Sequence, residues 1–355
     1  MPISNHQERD VLDYVRDKTI LVTGAAGTVG GAIARKLAGV ARAVRCFDHA
    51  ETELFHLGED LRGVGRVTFL LGDIRDVDRL RFALGGVDVV FHAAALKHVG
   101  LGEYNPFEVV QTNLMGLNNV VRACLDADVD RVVFTSSDKA VNPTNVMGAS
   151  KMMGERLIGA ANEIRGLRRT RFVSVRFGNV IGSRGSVVPI FAKQLLRGEP
   201  LPITHESMTR YVMTIEEAAA LVIEAGAIAK GGEVFVTKMH ALRVVDLAQA
   251  MANRLTGGKW TSTITGIRPG EKLYEELVLQ DERERTLDLE RLLLILPPAG
   301  SDYDGKPTHA SFPNGVLVTK DWSSGTDKLM TVGEIEAYLD AHRILDPYGP
   351  TGASR

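Results

Sequence analysis

The stretch from Phe134 to Lys151 collects Ser136, Ser137, Asp138, Lys139 and Lys151, groups able to donate, accept and hold protons around a polar ligand. They follow an apolar run, Arg131 to Thr135, which reads as a short buried strand whose C-terminal end delivers Ser136 to Lys139 into a loop. In open parallel sheets ligands bind at that end of the strands. Beyond Pro143 the spacing turns helical: Met147, Lys151 and Glu155 fall four apart, so Met147 and Lys151 share a face and Lys151 reaches the pocket of the strand-end hydroxyls. Taken singly, Asp138 and Lys139 also read as solvated loop charges and Lys151 as a surface helix residue. A glycine-rich turn earlier in the chain tips the balance.

That turn is Gly24-Ala-Ala-Gly27-Thr28-Val29-Gly30, set between a buried strand, Thr19 to Thr23, and a helix with Val29, Ile33 and Leu37 on one face. Residues without a Cβ let backbone N–H groups approach a pyrophosphate, which then rests on the positive end of the helix. The glycines are spaced G-x-x-G-x-x-G, and the order strand, glycine turn, helix points to a dinucleotide site. The next strand, Ala43 to Phe47, ends in Asp48, where a carboxylate accepts from an adenosine ribose and repels a 2′-phosphate. NAD is therefore preferred to NADP, although Arg45 and His49 stand nearby, and a helix-capping role is the alternative for Asp48.

Further strands at Val67 to Leu71, leading into Asp73 and Ile74, and at Val87 to His92 alternate with helical stretches at Glu51 to Leu61, Val77 to Ala83 and Pro106 to Ala127. This alternation predicts an α/β fold with a doubly wound parallel sheet. The small residues Ala93 to Ala95 leave room for a cofactor against the backbone, with Lys97 and His98 facing a ligand or solvent. A further strand is expected at Phe172 to Phe177. Beyond Pro189 prolines and basic residues punctuate Arg197 to Arg210, a β-rich stretch covers Val234 to Thr237, and a helix follows from Val244 to Leu255. The expected organisation is a leader helix at 1–17, a dinucleotide-binding domain at 18–185, a smaller substrate lobe at 186–300 and a C-terminal extension at 301–355 with a short helix near Val332 to Leu339.

With 355 residues and 45% apolar content, the chain can bury a substantial core. Its net charge of −2, without long blocks of one sign, gives no sign of a nucleic-acid partner or a polybasic membrane surface. Cys46 and Cys124 are its only cysteines, which fits a reducing, cytoplasmic setting and argues against a cysteine-rich metal site. Met1 to Lys18 is charged and resembles neither a signal peptide nor an anchor, and no later run has the length to span a bilayer.

Several segments together resemble the extended short-chain dehydrogenase/reductases, and within them the UDP-N-acetylglucosamine 4,6-dehydratases of polysaccharide biosynthesis. They are Thr23 to Gly30, His92 to His98, Glu103 to Pro106, Thr135 to Pro143, Arg176 to Ser186, Met208 to Arg210 and Gly266 to Glu276. The resemblance implies a Rossmann domain with a smaller substrate-binding lobe, and a lyase that keeps its NAD bound through oxidation at C4, loss of water across C5 and C6, and return of hydride to C6. Asp138 would be the acid for the departing C6 hydroxyl and Lys139 the base for the C5 proton, with Ser136 and Ser137 near C4 and Lys151 on the nicotinamide ribose. The cofactor would lie against Gly24, Gly27, Thr28, Val29, Gly30, Asp48, Asp73, Ile74, Ala93, Ala94, Lys97, Asn113 and Lys151. The UDP-sugar would lie against Lys97, Asn179, Ser186, Val187, Pro189, Arg210, Arg268 and Glu271, with no metal involved. A cytoplasmic homo-oligomer, a hexamer among the candidates, is also implied. Longer relatives carry a membrane domain ahead of this unit, of which the sequence here gives no sign.

One position departs from the superfamily pattern: Met147 stands where the tyrosine of Tyr-x-x-x-Lys is usual. A thioether cannot accept the C4 hydroxyl proton, so that task passes to Lys139 or an ordered water. A C4 epimerase or ketoreductase shares fold and cofactor but relies on the missing tyrosine. A noncatalytic NAD-binding protein would accommodate Met147 but leaves Asp138, Lys139 and Lys151 without a purpose.

Overall fold

The computed structural model describes residues 5–301 and 303–349, and the chain divides into two compact units. The first comprises Met1–Phe177, Glu216–Lys238 and Val278–Lys320. Its opening segment alternates helix and strand: α1 (Asn5–Arg16), β1 (Thr19–Thr23), α2 (Thr28–Ala38), β2 (Ala43–Asp48), α3 (Glu51–Asp60), β3 (Val67–Leu71), α4 (Val77–Leu84) and β4 (Val89–His92). Then come α5 (Val99–Tyr104), α6 (Pro106–Val109), α7 (Leu117–Asp126), β5 (Arg131–Thr135), α8 (Val146–Ile164) and β6 (Arg171–Arg176). Every residue of β1 and β4 is buried, as continuous apolar strands covered on both faces must be.

The sheet runs in the order β3-β2-β1-β4-β5-β6, followed by Val234–Thr237, Leu292–Ile295, Thr286–Asp288 and Val316–Leu317. All neighbours through Val234–Thr237 are parallel, and the last three strands add antiparallel. This is the doubly wound architecture expected from the sequence, with the strand order reversing between β1 and β4. Val234–Thr237, which the sequence shows only as a β-rich stretch far along the chain, pairs directly with β6. One face is filled by Leu80, Val120, Cys124, Val132, Phe134 and Phe172, each worth about 1.5–3 kcal/mol for the larger side chains when removed from water.

The expected helix from Pro106 to Ala127 is interrupted: Val110–Gly116 forms a π-helical stretch between α6 and α7. An extra residue per turn leaves no mark in a hydrophobic period, so the sequence does not announce it. A Cβ at Gly116 would lie 2.7 Å from Cδ1 of Ile74, which explains the glycine at its end.

The second unit comprises Gly178–Ile215, Met239–Leu277 and Asp321–Arg355. Strand Thr209–Met213 pairs antiparallel with His240–Arg243 and parallel with Asn179–Val180, and Ser262–Ile264 pairs with Leu201–Ile203. Helices Val187–Arg197, Val244–Thr256 and Val332–Ala341 enclose a core containing Phe191, Leu195, Leu247, Met251 and Leu339. The last helix begins with a reciprocal cap, in which Thr331 Oγ1 accepts from the Glu334 amide and Glu334 Oε2 accepts from the Thr331 amide.

Candidate active site

At the C-terminal end of β5 a single 3-10 turn, Asp138–Ala140, begins at Ser137. Ser137 Oγ donates to Asp138 Oδ1 at 2.7 Å and accepts from the Lys139 amide at 3.2 Å. Lys139 Nζ lies 3.1 Å from the same Oδ1, so hydroxyl, carboxylate and ammonium meet at one oxygen. The Asp138 side chain is 0% exposed and that of Lys139 29%, which rules out a solvated loop charge at Asp138. Helix α8 holds the turn from beneath: a Cβ at Gly148 would sit 2.3 Å from the Lys139 carbonyl oxygen. Asn145 caps α8 by accepting from the Gly148 amide at 2.7 Å, and Glu103 accepts from the Val146 amide at 2.7 Å.

Lys151, on the next turn of α8 from the buried Met147, is itself buried. Its Nζ donates to the Thr135 carbonyl at 2.7 Å and lies 4.7 Å above the Phe134 ring. Burial brings its pKa down to about 8, against a smaller upward pull from Glu155. His92, at the end of β4, contacts Thr23 Oγ1 through Nδ1 at 2.7 Å; burial first, and Lys151 second, lower its pKa to about 3. It is therefore neutral beside the buried lysine.

Ser136 is placed differently from its neighbour. It is buried, and its hydroxyl donates to Glu155 Oε1 at 2.5 Å. Glu155 Oε2 accepts from Arg176 Nη2 at 2.6 Å, and Arg176 Nη1 donates to Glu282 Oε2 at 2.9 Å. Burial works against the charge of Arg176, but Glu155 and Glu282 hold it well above the ordinary guanidinium range. Ser137, Asp138 and Lys139 thus form one cluster, while Ser136 belongs to a buried ionic triad behind it.

The glycine turn fits a dinucleotide. Gly24 has φ +67°, and a Cβ there would lie 2.5 Å from the Ala94 amide nitrogen; one at Gly30 would lie 2.2 Å from the Gly24 oxygen. Gly27 begins α2, whose first turn holds half-buried Thr28 and Val29 and no acidic residue. Asp48 supports this turn, accepting from the Ala26 amide at 2.9 Å through Oδ2 and from the Ala50 amide at 3.0 Å through Oδ1. Asp73 accepts from the Arg75 amide at 2.8 Å; burial opposes its charge, yet the Arg75 fork holds its pKa below the usual carboxylate range. Ile74 is buried against Gly116. Asn113, on the π-helical stretch, accepts from the Leu96 amide at 2.8 Å and donates to its carbonyl at 3.0 Å, fixing the loop after Ala93 and Ala94; Lys97 is exposed on that loop.

In the second unit Asn179 and Arg210 share a partner. The Asn179 amide donates to both oxygens of buried Glu275, at 3.0 and 2.9 Å, and Arg210 Nε lies 3.4 Å from Glu275 Oε1. Arg268 and Glu271 sit in one turn, where the Glu271 amide donates to the Arg268 carbonyl at 3.0 Å. Ser186 precedes helix Val187–Arg197, which carries Val187 and Pro189 in its first turn.

Glu155, Arg176, Glu282 and Glu275 carry these arrangements, and none of them is among the site residues expected from the sequence. Glu155 had a visible signal, since it stands four residues after Lys151 on one helix face. Glu275 lies within the charged stretch Gly266 to Glu276, where spacing alone does not separate a buried carboxylate from surface ones.

Residues 20–297 match the family described as polysaccharide biosynthesis protein. The chain is 38% identical to a UDP-N-acetylglucosamine 4,6-dehydratase (inverting) of Campylobacter jejuni, across 79% of this chain and 83% of the relative. It is 34% identical to a UDP-glucose 4-epimerase of Rickettsia canadensis, across 91% and 95%. It is 44% identical to the capsular polysaccharide biosynthesis protein CapD of Staphylococcus aureus across 75% of this chain, and spans 46% of that protein. Among solved structures, Pen from Bacillus thuringiensis superposes with TM-score 0.86 and 38% identity, over 93% of this chain and 99% of that one. A double mutant of the dTDP-glucose 4,6-dehydratase DesIV from Streptomyces venezuelae, with NAD and DAU bound, gives TM-score 0.65 and 25% identity, over 72% and 86%. Among the described residues no helix is long and apolar enough to cross a membrane.

Proposed function

Because this chain belongs to the polysaccharide biosynthesis protein family, within the nucleotide-sugar dehydratases and epimerases of the short-chain dehydrogenase/reductase superfamily, we propose that it is a UDP-N-acetylglucosamine 4,6-dehydratase. The product is a UDP-4-keto-6-deoxy-N-acetylhexosamine. The observation that carries this assignment is the Asp138–Lys139 pair at 3.1 Å, beside a helix that offers Met147 instead of a tyrosine hydroxyl.

A bound nicotinamide supplies the hydride acceptor at C4 and the hydride donor at C6, so the reaction has no net redox change. The chain's own task is to move protons. Elimination needs Lys139 neutral to take the C5 proton and Asp138 protonated to release the C6 hydroxyl as water. That state and the ion pair differ only by one proton moved along the 3.1 Å contact. Elimination itself returns Lys139 to the ammonium and Asp138 to the carboxylate, and Lys139 then gives its proton to C5 as hydride reaches C6, which leaves the lysine neutral. The C4 hydroxyl proton goes first to neutral Lys139 or a water beside it, since the Met147 thioether accepts none, and passes across the contact to the Asp138 carboxylate, which sets up the state that elimination needs. Lys151, hydrogen-bonded to Thr135, orients the nicotinamide ribose.

We assign NAD over NADP on Asp48, whose carboxylate at the end of β2 repels a 2′-phosphate. Asn179, Arg210, Arg268 and Glu271 are assigned to UDP, for which guanidinium forks suit the diphosphate. The epimerase relatives favour a second reading, C4 epimerisation, which retains the C6 hydroxyl.

Proton NMR of the protein with UDP-N-acetylglucosamine in deuterated water separates the two. A new C6 methyl resonance with deuterium at C5 supports dehydration, and the couplings give the C5 configuration. A C4 epimer without a methyl signal would replace it with epimerisation, and an unchanged substrate would reject this nucleotide sugar.

A further inference from the structure

Strands β5 and β6 end at the catalytic turn and at Arg176, but they begin with Arg131 and Arg171, which are register partners on adjacent parallel strands. Their side chains leave the sheet on the same face as neighbours, an arrangement that costs stability between like charges. Arg131 Nη1 donates to Asp130 Oδ1 at 2.9 Å, but its Nε is buried and finds no acceptor among the described residues. The Arg171 side chain makes one long hydrogen bond among the described residues, 3.3 Å from Nη1 to the Arg169 carbonyl. Burial, and then Arg165 and Arg131, weigh against its charge, with weaker support from Asp304 and Asp130. Arg165 is itself buried and donates to the carbonyls of Arg168 and Asp304.

Arg131, Arg171 and Lys230 line an open cavity of about 630 Å³, closed by Ser311, Phe312 and the end of helix Ile215–Ile228. Lys230 Nζ stands 5.9 Å above the Phe312 ring and has no ion-pair partner among the described residues. The helix end explains part of this charge, since its carbonyls carry about half a unit of negative charge. Glu233, behind the cavity, is turned onto the amides of Lys230 and Gly231. Neither supplies an acceptor for the Arg131 Nε, and, although Asp130 pairs with Arg131, no carboxylate pairs with the side chain of Arg171 or Lys230 among the described residues. One buried donor and two unpaired cationic side chains at the wall of one cavity together match what a bound anion would satisfy.

We propose that this cavity is a second anion site, which binds the phosphate or diphosphate group of a small phosphorylated molecule between Arg171, Arg131 and Lys230, with Phe312 as a wall for its uncharged part. Guanidinium forks match phosphate oxygens, and an ammonium adds a point charge. The site lies at the opposite end of β5 from the catalytic turn, roughly 15 Å away at the rise of a strand.

The test is calorimetric titration of the whole protein with inorganic pyrophosphate and, separately, orthophosphate at low salt. Wild type is compared with Lys230→Gln and with Arg171→Gln/Lys230→Gln. Lys230 is exposed, so its variant keeps the fold even if the double variant does not. One binding event should weaken about threefold or more in the single variant and at least tenfold in the double, while dehydration stays at the wild-type rate. The stronger of the two anions identifies the group recognised. Unchanged affinity and stoichiometry in Lys230→Gln, or no anion binding by wild type, would overturn the proposal. The outcome does not depend on whether UDP-N-acetylglucosamine is the substrate, because the readout is anion binding at residues remote from the catalytic turn.

Discussion

Ser136 and Glu155 are joined by a 2.5 Å hydrogen bond that turns the Ser136 hydroxyl away from its neighbour Ser137 and into the ionic triad with Arg176 and Glu282. Two adjacent serines therefore do different work: Ser137 meets the Asp138 carboxylate, and Ser136 anchors the end of β5 to α8.

Glu155→Ala leaves Arg176 paired with Glu282 but takes the acceptor from the Ser136 hydroxyl and from Arg176 Nε, so it should lose about 1–3 kcal/mol of stability. Glu155→Gln retains an acceptor for Ser136 and should lose less. Urea unfolding gives both values, and a Glu155→Ala variant as stable as wild type would deny the triad its structural role.

Lys139→Ala and Asp138→Asn should each lower dehydration by about 10²–10⁴-fold, the usual span for a general acid or base. NAD content after purification should stay unchanged. Single-turnover formation of the methyl signal is the measurement, and persistent turnover in Lys139→Ala would remove this lysine as the base.

Met147→Leu conserves volume in a buried position, and such exchanges cost less than about 1.5 kcal/mol. If the thioether moves no proton, kcat should stay within about threefold of wild type, since a well-packed swap leaves the neighbouring geometry intact. A hundredfold loss would give the sulfur a part in the chemistry.

Two buried bases set opposite ends of the pH profile of stability. His92 titrates near 3 in the folded protein against an ordinary 6.5, so between these values the unfolded chain binds the extra proton and stability falls as pH falls. Lys151 titrates near 8 against 10.5, so in that window stability rises with pH, and below pH 8 the cost of its buried charge is constant. Denaturant midpoints measured across pH should show both slopes, and Lys151→Met should remove the alkaline one and, by lifting the charge that weighs on His92, shrink the acid one.

Gly24→Ala would bring a methyl to 2.5 Å from the Ala94 amide at a φ of +67°. The turn must open to accept it, so the variant should purify with far less bound dinucleotide. Absorbance of the released cofactor measures this, and wild-type content would mean that the turn is not the pyrophosphate seat.

Much of the first unit was legible because each parallel strand is a short apolar run and each turn carries its glycine or carboxylate in sequence, as Thr23-Gly24 and Asp48 do. Lys151 and Glu155 were legible as one helix face. The opposite directions of Ser136 and Ser137 follow from the period of two in an extended chain, a signal present but easily passed over when both are hydroxyls. Arg176 and Glu282 meet across a long sequence separation that no local pattern spans. The strands Thr286–Asp288, Leu292–Ile295 and Val316–Leu317 are too short to assert themselves against loop-like surroundings, and their pairing decides their identity.

Each unit is assembled from three separate stretches of chain, and the two sets interleave. During synthesis, therefore, Val234–Thr237 emerges well before Leu292–Ile295 exists to cover its free edge. Likewise, the second unit's core waits for Ile335 and Leu339. A ribosome that stalls in between releases a chain with an open apolar strand, the kind of edge on which unfinished proteins aggregate. Synthesis through Leu292–Ile295 and on to Leu339 is thus a step in folding, and termination before it should yield insoluble product rather than a working fragment.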